Sequence, residues 1–405
     1  MTSDVSCCIA GGGPAGMMLG LLLARAGVRV VVLEKHADFL RDFRGDTVHP
    51  STLEVVHELG LLDAFLARPH QKLFEIGAMF GERRMMVADF RFLPVTCGFI
   101  AFMPQWEFLD FLADEARRYP GFELRMQSRV TGLMEDERGR ITGVHTEGPD
   151  GAQSIRADLV VGADGRRSDV RTAAKLAVRT FGAPMDVLWM RLSRQPGDPE
   201  QTLGYIAPGR LLVALRREDY WQCAFVIPKG DFAVLQAAGL EQLRARIAGI
   251  APWLSGRVQE LREWNDVKLL TVAVDRLDTW WRPGLLCLGD AAHAMSPIGG
   301  VGINLAIQDA VAAANSLAGP LRTGALIDAH LAAVQKRREF PTRVTQRAQL
   351  LIQNVVIRSV LASTGLPEPP LVLRLLDRFP RLRRIPARLV GMGARPEHVS
   401  IDAVS

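Results

Sequence analysis

The sequence carries no metal-binding signature. It has only five cysteines, Cys7, Cys8, Cys97, Cys223 and Cys287, and none forms a C-x-x-C pair or a Cys/His cluster at zinc spacing. Cys7 and Cys8 are neighbours in an apolar run and read as small core residues. Cysteines this few and unpatterned fit a reducing compartment. An excess of one charge is also missing. The balance of 49 Lys+Arg against 44 Asp+Glu leaves +5 over 405 residues, which is no basic face for nucleic acid. The one dense basic stretch holds Arg374, Arg378, Arg381, Arg383, Arg384 and Arg388. It reads as a solvated helix face, with anionic lipid or a partner as the alternative. The apolar run 7–23 is neither long nor clean enough to span a bilayer. It also lacks the basic flank of a secretory leader, since Met1-Thr2-Ser3-Asp4 holds no Lys or Arg. The expected location is the cytoplasm. Repeats and low-complexity tracts are absent.

Hydrophobic residues make up 48% and charged residues 23%, as in ordinary soluble proteins. A chain of this size can enclose a cofactor. Residues 5–10 predict a short buried strand, 14–26 a helix stopped by Gly27, and 28–33 a second strand. Between strand and helix stands Gly11-x-Gly13-x-x-Gly16, with Pro14 and Ala15 inside it. Gly11 permits a tight turn, Gly13 lets backbone approach a pyrophosphate, and Gly16 lets the helix pack on the sheet. The helix start offers free N–H groups and the positive end of its dipole. Glu34, with Lys35 beside it, follows 18 residues after Gly16 (34 − 16), where a carboxylate can accept hydrogen bonds from a ribose diol. This much specifies a dinucleotide site without separating FAD from NAD.

Further along, residues 51–66 predict one helix capped by Ser51 or Thr52, and 108–118 another. Segments 187–192, 203–206, 211–216 and 220–227 read as strands with turns between them, and predict an antiparallel sheet. A buried strand at 285–288 leads to a helix at 305–317, with helices onward to about residue 379.

Two more elements follow strands. One is Asp164-Gly165-Arg166-Arg167-Ser168-Asp169-Val170-Arg171. The other is Gly289-Asp290-Ala291-Ala292-His293, which runs through Pro297-Ile298-Gly299-Gly300-Val301-Gly302-Ile303-Asn304 into a helix. With the first motif, in this order, the chain from about residue 5 to 345 resembles the class A flavoprotein monooxygenases of the para-hydroxybenzoate hydroxylase type. The resemblance implies an α/β fold: a Rossmann-like FAD-binding domain of glutathione-reductase type, an inserted antiparallel-sheet substrate domain and a helical C-terminus. The boundaries expected are 1–74, 97–184 and 272–350 for FAD binding, 75–96 and 185–271 for the substrate sheet, and 351–405 for the helical segment.

The resemblance also implies roles. Gly11, Gly13, Pro14, Ala15, Gly16, Glu34 and Lys35 would hold the ADP part of FAD. Asp164 of the D-G-x-x-S-x-x-R motif is linked to FAD and NAD(P)H, and Gly289 and Asp290 to the ribityl chain. Arg44, Gln105 and Val130 fall where the family has an arginine near the flavin, an FAD-contacting residue and an adenine-side backbone contact. Pro297, Gly300, Val301, Gly302, Ile303 and Asn304 would wrap the flavin. Many members have Gly-Gln-Gly where this chain has Gly300-Val301-Gly302. A Gly-rich turn before a helix gathers N–H groups in one concavity, suited to the negative charge of reduced flavin.

The reaction implied is hydroxylation of an aromatic or polyketide-like molecule: NADH or NADPH reduces FAD, O2 forms a flavin hydroperoxide, and one oxygen is transferred. Strand alternation puts Tyr220, Gln222, Ala224 and Val226 on one face, opposite a core-like face of Trp221, Cys223, Phe225 and Ile227. Tyr220 and Gln222 are therefore the expected substrate wall, with Trp189, Tyr205, His49 and Pro297 as further candidates. His293 reads as scaffold, and no residue is singled out as a catalytic base. An FAD-dependent halogenase or reductase is the alternative on the same scaffold, although Trp280-Trp281-Arg282-Pro283 does not match the W-x-W-x-I-P motif of halogenases. A non-catalytic flavin protein stays open. An NAD dehydrogenase without flavin leaves Gly289-Asp290 unexplained. The expected partners are a small aromatic molecule and O2, for a monomer or homodimer.

Overall fold

The computed structural model of the chain describes residues 2–40, 46–365, 368–401 and 403. Strand Thr2–Ala10 lies at the centre of the first sheet. It pairs in parallel with Val30–Leu33 on one side and Gly151–Gly162 on the other. Phe122–Arg125 and Leu285–Cys287 extend the parallel set outward. Such strands are covered on both faces and must be apolar throughout, and every residue of Val30–Leu33 is buried. An antiparallel layer, Arg129–Glu135 with Ile141–Gly148, is added to strand Gly151–Gly162. Helix Pro14–Arg25 and helix Gly302–Thr323 pack on this sheet and bury nearly all their apolar residues in one core.

The second sheet has seven strands. Met185–Ser193, Tyr220–Pro228, Arg210–Arg216 and Leu203–Ala207 are joined antiparallel, with Lys268–Leu270 at one edge. The expectation of a purely antiparallel sheet needs one correction. Leu203–Ala207 pairs in parallel with Glu75–Phe80, which continues into Arg83–Asp89. Those two strands arrive from a distant part of the chain, so no hairpin sets their direction. One face of the sheet buries Leu188, Met190, Leu212, Trp221 and Phe225 against helix Leu240–Ile250. The other carries Val187, Ala224 and Val226 toward Ile298, Ile357 and Leu361.

The single helix expected over 51–66 is two, Pro50–Glu58 and Leu62–Leu66. Gly60 takes a left-handed φ of 73° between them, and the N-cap is His49, two residues before Ser51 and three before Thr52. Helix Asp328–Ile352 runs on through a π-helical turn, Gln353–Ile357. The arginine-rich stretch forms helices Leu371–Arg378 and Arg384–Gly391. It is not simply a solvated polar face, because Leu371, Val372, Leu375, Phe379 and Ile385 are exposed among its arginines.

Candidate cofactor site and the sheet face opposite it

Two helix starts meet at the carboxyl end of the parallel sheet, the place where open α/β sheets bind ligands. Helix Pro14–Arg25 begins at Gly13 and helix Gly302–Thr323 at Val301, and neither has a side-chain cap or an acid in its first turn. Gly289 wedges between them, since a Cβ there would sit 3.3 Å from the Cβ atoms of both Ala15 and Ala306. Orphan N–H groups of two helices thus face one region.

The first turn is built as its glycines require. Gly11 has φ +106°, and a Cβ on it would lie 2.4 Å from the Ala163 carbonyl oxygen. The close approach brings the Gly11 turn against Ala163-Asp164, so the first and second motifs touch. Gly13 differs. A Cβ there would meet no atom of the described residues within 4 Å, and the same holds at Gly302. Nothing among the described residues requires glycine at these two helix starts, and both open onto space free of described atoms. That is the shape of a cradle for a phosphate and for a flavin ring edge, and the residues present fit FAD.

Glu34 ends strand Val30–Leu33. Its Oε2 accepts from Gly12 N at 3.0 Å and Oε1 from His36 N at 3.0 Å. The Glu34 carbonyl accepts from Ser128 N at 2.8 Å, which brings buried Val130 near this end of the cradle, while Lys35 is exposed. Burial pushes the Asp164 carboxyl above the ordinary range, against bonds from Ser168 and backbone N–H groups including that of Val170. Ser168 caps the short helix Asp169–Ala173.

The third motif is braced from both neighbours. Arg166 Nε donates to Asp290 Oδ2 at 2.9 Å, and Arg166 Nη1 is buried with no partner among the described residues. Arg171 reaches the Ala291 carbonyl at 3.4 Å. Asp309, fully buried, accepts from Gly289 N at 3.1 Å, from His293 Nε2 at 2.6 Å and from Arg338 Nε at 2.9 Å. Burial alone would raise its carboxyl, but His293 and Arg338 hold it below the ordinary value. His293 is therefore locked under the motif, turned toward Asp309.

The loop that follows is pinned from outside. Gly300 accepts from Thr47 Oγ1 at 3.0 Å, and its N–H donates to the Pro297 carbonyl at 3.1 Å. His49 places Nε2 3.1 Å from the Gly300 carbonyl and Nδ1 3.0 Å from the Val390 carbonyl. Burial lowers its pKa to about 4, against those two carbonyls. A neutral imidazole has one N–H and donates to only one of them. Asn304 Oδ1 accepts from Ser51 Oγ at 2.5 Å and Thr52 Oγ1 at 2.9 Å, so its side chain ties two helices together and leaves its backbone for a ligand. Arg44 lies outside the described residues.

The sheet candidates separate by face. Trp189, Tyr220 and Gln222 alternate with core residues and share the face of Ala224 and Val226 that packs toward Ile298. Tyr205 points the other way, with its ring 6.0 Å from Trp253. Alternation along its strand puts it on the core side, removed from the loop Pro297–Val301. Gln222 is occupied: Oε1 accepts from Arg217 Nε at 3.2 Å and Nη2 at 3.0 Å. Arg217 also pairs with buried Asp46 and stacks 5.2 Å over Phe102. Burial raises the Asp46 carboxyl, against Arg217, Gln222 and the Gln105 backbone N–H. This cluster fastens the sheet to the chain just before Thr47, beside the start of helix Gln105–Ala116. Over Tyr220, Arg191 sits 5.0 Å from the ring centroid.

Sequence reasoning missed Thr47, Asp46, Arg217 and the Asp309–Arg338 pair as supports. Asp309 had a signal: it is the lone acid in an otherwise apolar helical run, which marks a buried charge with a partner elsewhere.

A family model described as FAD binding domain matches residues 4–348. 6-Methylpretetramide 4-monooxygenase of Streptomyces rimosus is 33% identical over 389 residues, 94% of this chain and 91% of that protein. Rifampicin monooxygenase of Streptomyces venezuelae is 31% identical over 315 residues, and there the match takes 75% of this chain but only 61% of the longer relative. Among solved structures, P. aeruginosa PqsL in complex with 2-aminobenzoylacetate aligns with a TM-score of 0.75 at 26% identity, over 89% of this chain and 97% of PqsL.

Proposed function

Because this chain belongs to the FAD binding domain family and is an FAD-dependent monooxygenase, we propose that it hydroxylates a bulky aromatic or polyketide-like molecule, with NADH or NADPH as the transient reductant. The observation that carries this is the meeting of two uncapped helix starts, at Gly13 and Gly302, across from an apolar sheet face. When bound, the flavin supplies the redox chemistry: it accepts hydride from a nicotinamide and passes one oxygen of O2 to the substrate.

The protein's own residues bind and shelter. The Gly11–Gly16 turn and the N–H groups that follow hold the pyrophosphate. Glu34 takes the adenosine ribose, Asp290 the ribityl hydroxyls, and the amides after Gly300 the electron-rich edge of the ring. Val130, Gln105 and Asp164 complete the contacts. The substrate lies beside the loop Pro297–Val301, against the partly exposed Trp189 and Tyr220 of the sheet face whose Val187, Ala224 and Val226 are packed in the core. That wall excludes water; with water admitted, oxygen transfer would give way to wasteful release of peroxide. It favours a flat apolar molecule with few polar anchors.

Expression should give a yellow protein that releases FAD on denaturation, and certain aromatic compounds should accelerate its oxidation of NADH or NADPH. A colourless protein that takes up no FAD in titration ends this proposal. The five cysteines are buried and free, which supports a reducing compartment, and we place the enzyme in the cytoplasm. No described helix is long and apolar enough to cross a membrane.

A further inference from the structure

The arginine-rich stretch 371–391 has an apolar inside and an apolar outside. Helices Leu371–Arg378 and Arg384–Gly391 both lie over strand Arg83–Asp89, the edge of the second sheet. Their inner residues are accounted for. Leu373 packs against the cluster of Phe80, Met85 and Val360, and Ala387 packs with Phe90 and Leu93. Their outer residues are not. Leu371, Val372 and Leu375 of the first helix are 69%, 65% and 43% exposed, and Ile385 and Leu389 of the second are 62% and 39% exposed. Phe379 and Leu382, in the turn between the helices, are exposed as well. A helix on a protein surface ordinarily turns polar residues outward, and exposed apolar side chains gathered in one stretch mark an interaction surface.

The charge beside this face has one sign. Six arginines stand in the stretch against one acid, Asp377, and that acid is engaged with Arg83 and Arg383. Arg374 pairs with Glu368. Arg378, Arg381, Arg384 and Arg388 are exposed and have no ion-pair partner among the described residues. Four-residue spacing puts side chains in one row along a helix. Arg374 and Arg378 thus form a row beside Leu371 and Leu375, and Arg384 and Arg388 form a row beside Ile385 and Leu389.

A second copy of the chain is a poor occupant. A two-fold contact sets the patch against itself, arginines toward arginines, and like charges so placed oppose association. Neither helix is long enough to span a bilayer. Apolar side chains flanked by unpaired arginines suit a helix lying in the plane of an anionic membrane, with its apolar side among the acyl chains and its cations among the phosphates.

We propose that helices Leu371–Arg378 and Arg384–Gly391 dock this protein on the surface of an anionic lipid bilayer. The docked face adjoins the candidate site: the Val390 carbonyl lies 3.0 Å from His49 Nδ1, and a Cβ on Gly299 would come within 3.8 Å of the Val390 side chain. The proposal is independent of the substrate assigned above.

The test is co-sedimentation of FAD-loaded full-length protein with vesicles of phosphatidylcholine alone, or of equal parts phosphatidylglycerol and phosphatidylcholine. Binding to the anionic vesicles should be about tenfold tighter or more, because each arginine near an anionic surface contributes several-fold. Added salt should weaken that binding without abolishing it, since it screens charge and leaves apolar burial in place. The combined variant Arg378→Gln, Arg384→Gln and Arg388→Gln should lose the preference for anionic vesicles. The combined variant Leu375→Ser, Phe379→Ser and Ile385→Ser should lose the binding that survives salt. Both should keep their FAD content, as all six side chains are exposed. The wild-type comparison decides the proposal without any variant: equal binding to the two kinds of vesicle overturns it, as does complete release by salt. Binding to neither kind, which leaves the face to an acidic protein, also overturns it. A wild-type dimer in solution that the serine variant converts to monomer assigns the face to a second copy and overturns it too.

Discussion

Arg166 donates from Nε to Oδ2 of Asp290 at 2.9 Å, across 124 positions of sequence. The bond joins the end of one parallel strand to the end of another, at the edge of the cradle. Both side chains are about one-third exposed, at 33% and 32%, so the pair adds little to folding, about 0.5 kcal/mol. Its value lies in aiming Asp290. Asp290→Ala should weaken FAD binding about tenfold or more, and Arg166→Ala by a smaller factor. The double variant should fall short of the product of the two, as for residues that act as a unit. Titration of the apoprotein with FAD measures this, and a wild-type affinity in Asp290→Ala would remove that residue from the site.

Gly11 and Gly13 should behave as opposites although they are two residues apart. A methyl on Gly11 collides with the Ala163 carbonyl oxygen at 2.4 Å in a left-handed backbone, so Gly11→Ala should cost about 2 kcal/mol or more of stability with or without cofactor. A methyl on Gly13 enters open space. Gly13→Ala should leave the melting temperature of the apoprotein almost unchanged and should sharply reduce FAD affinity. An equal loss of stability in both apoproteins would mean that Gly13 serves the fold.

The contrast also shows what was legible beforehand. Local patterns carried the parallel strands, the glycine turn and the helix starts, because those features are written within some thirty contiguous residues. Alternation gave the two faces of strand Tyr220–Pro228 correctly, since the period of two is local. Tyr205, a further candidate named on residue type alone, lies on the core side against Trp253, because an aromatic on a strand does not say which face the core takes. Long-range braces were invisible. Asp46 meets Arg217 from 171 positions away, and Asp309 meets Arg338 from 29, and no spacing rule links such pairs. Gln222 belongs to the expected substrate wall by alternation, but its Oε1 is taken by Arg217, a contact that strand periodicity does not encode.

Asp309 carries the acid side of stability. Its carboxyl is held below the ordinary 3.8 chiefly against burial, by His293 and Arg338. The contribution is complete above that ordinary value and drains as pH falls below it, because the unfolded chain then takes the proton first. Asp309→Asn should cost about 3–5 kcal/mol, since it leaves Arg338 buried and half-paired. His293→Ala should cost less stability and should leave turnover per bound FAD unchanged, as expected of scaffold. A fall in turnover in fully FAD-loaded His293→Ala would instead make the histidine part of the chemistry.

His49 sets a second, milder pH limit. Burial depresses its folded-state pKa from 6.5 to about 4, while the carbonyls of Val390 and Gly300 pull the other way. The unfolded ring therefore binds a proton before the folded one. Stability from the neutral buried ring is complete above 6.5 and is lost as pH falls from there toward 4. The whole interval corresponds to about 3 kcal/mol. Because the same ring touches the Gly300 carbonyl, the acid-induced loss should loosen the flavin loop, and FAD should be released over the same interval. His49→Gln, which keeps one donor toward a carbonyl and does not titrate, should flatten both curves between those pH values at some cost in stability at neutral pH. Urea unfolding and flavin fluorescence across the interval give the two readouts. Parallel curves for wild type and His49→Gln would assign the acid sensitivity to other groups and leave His49 as a neutral peg between the loop and helix Arg384–Gly391.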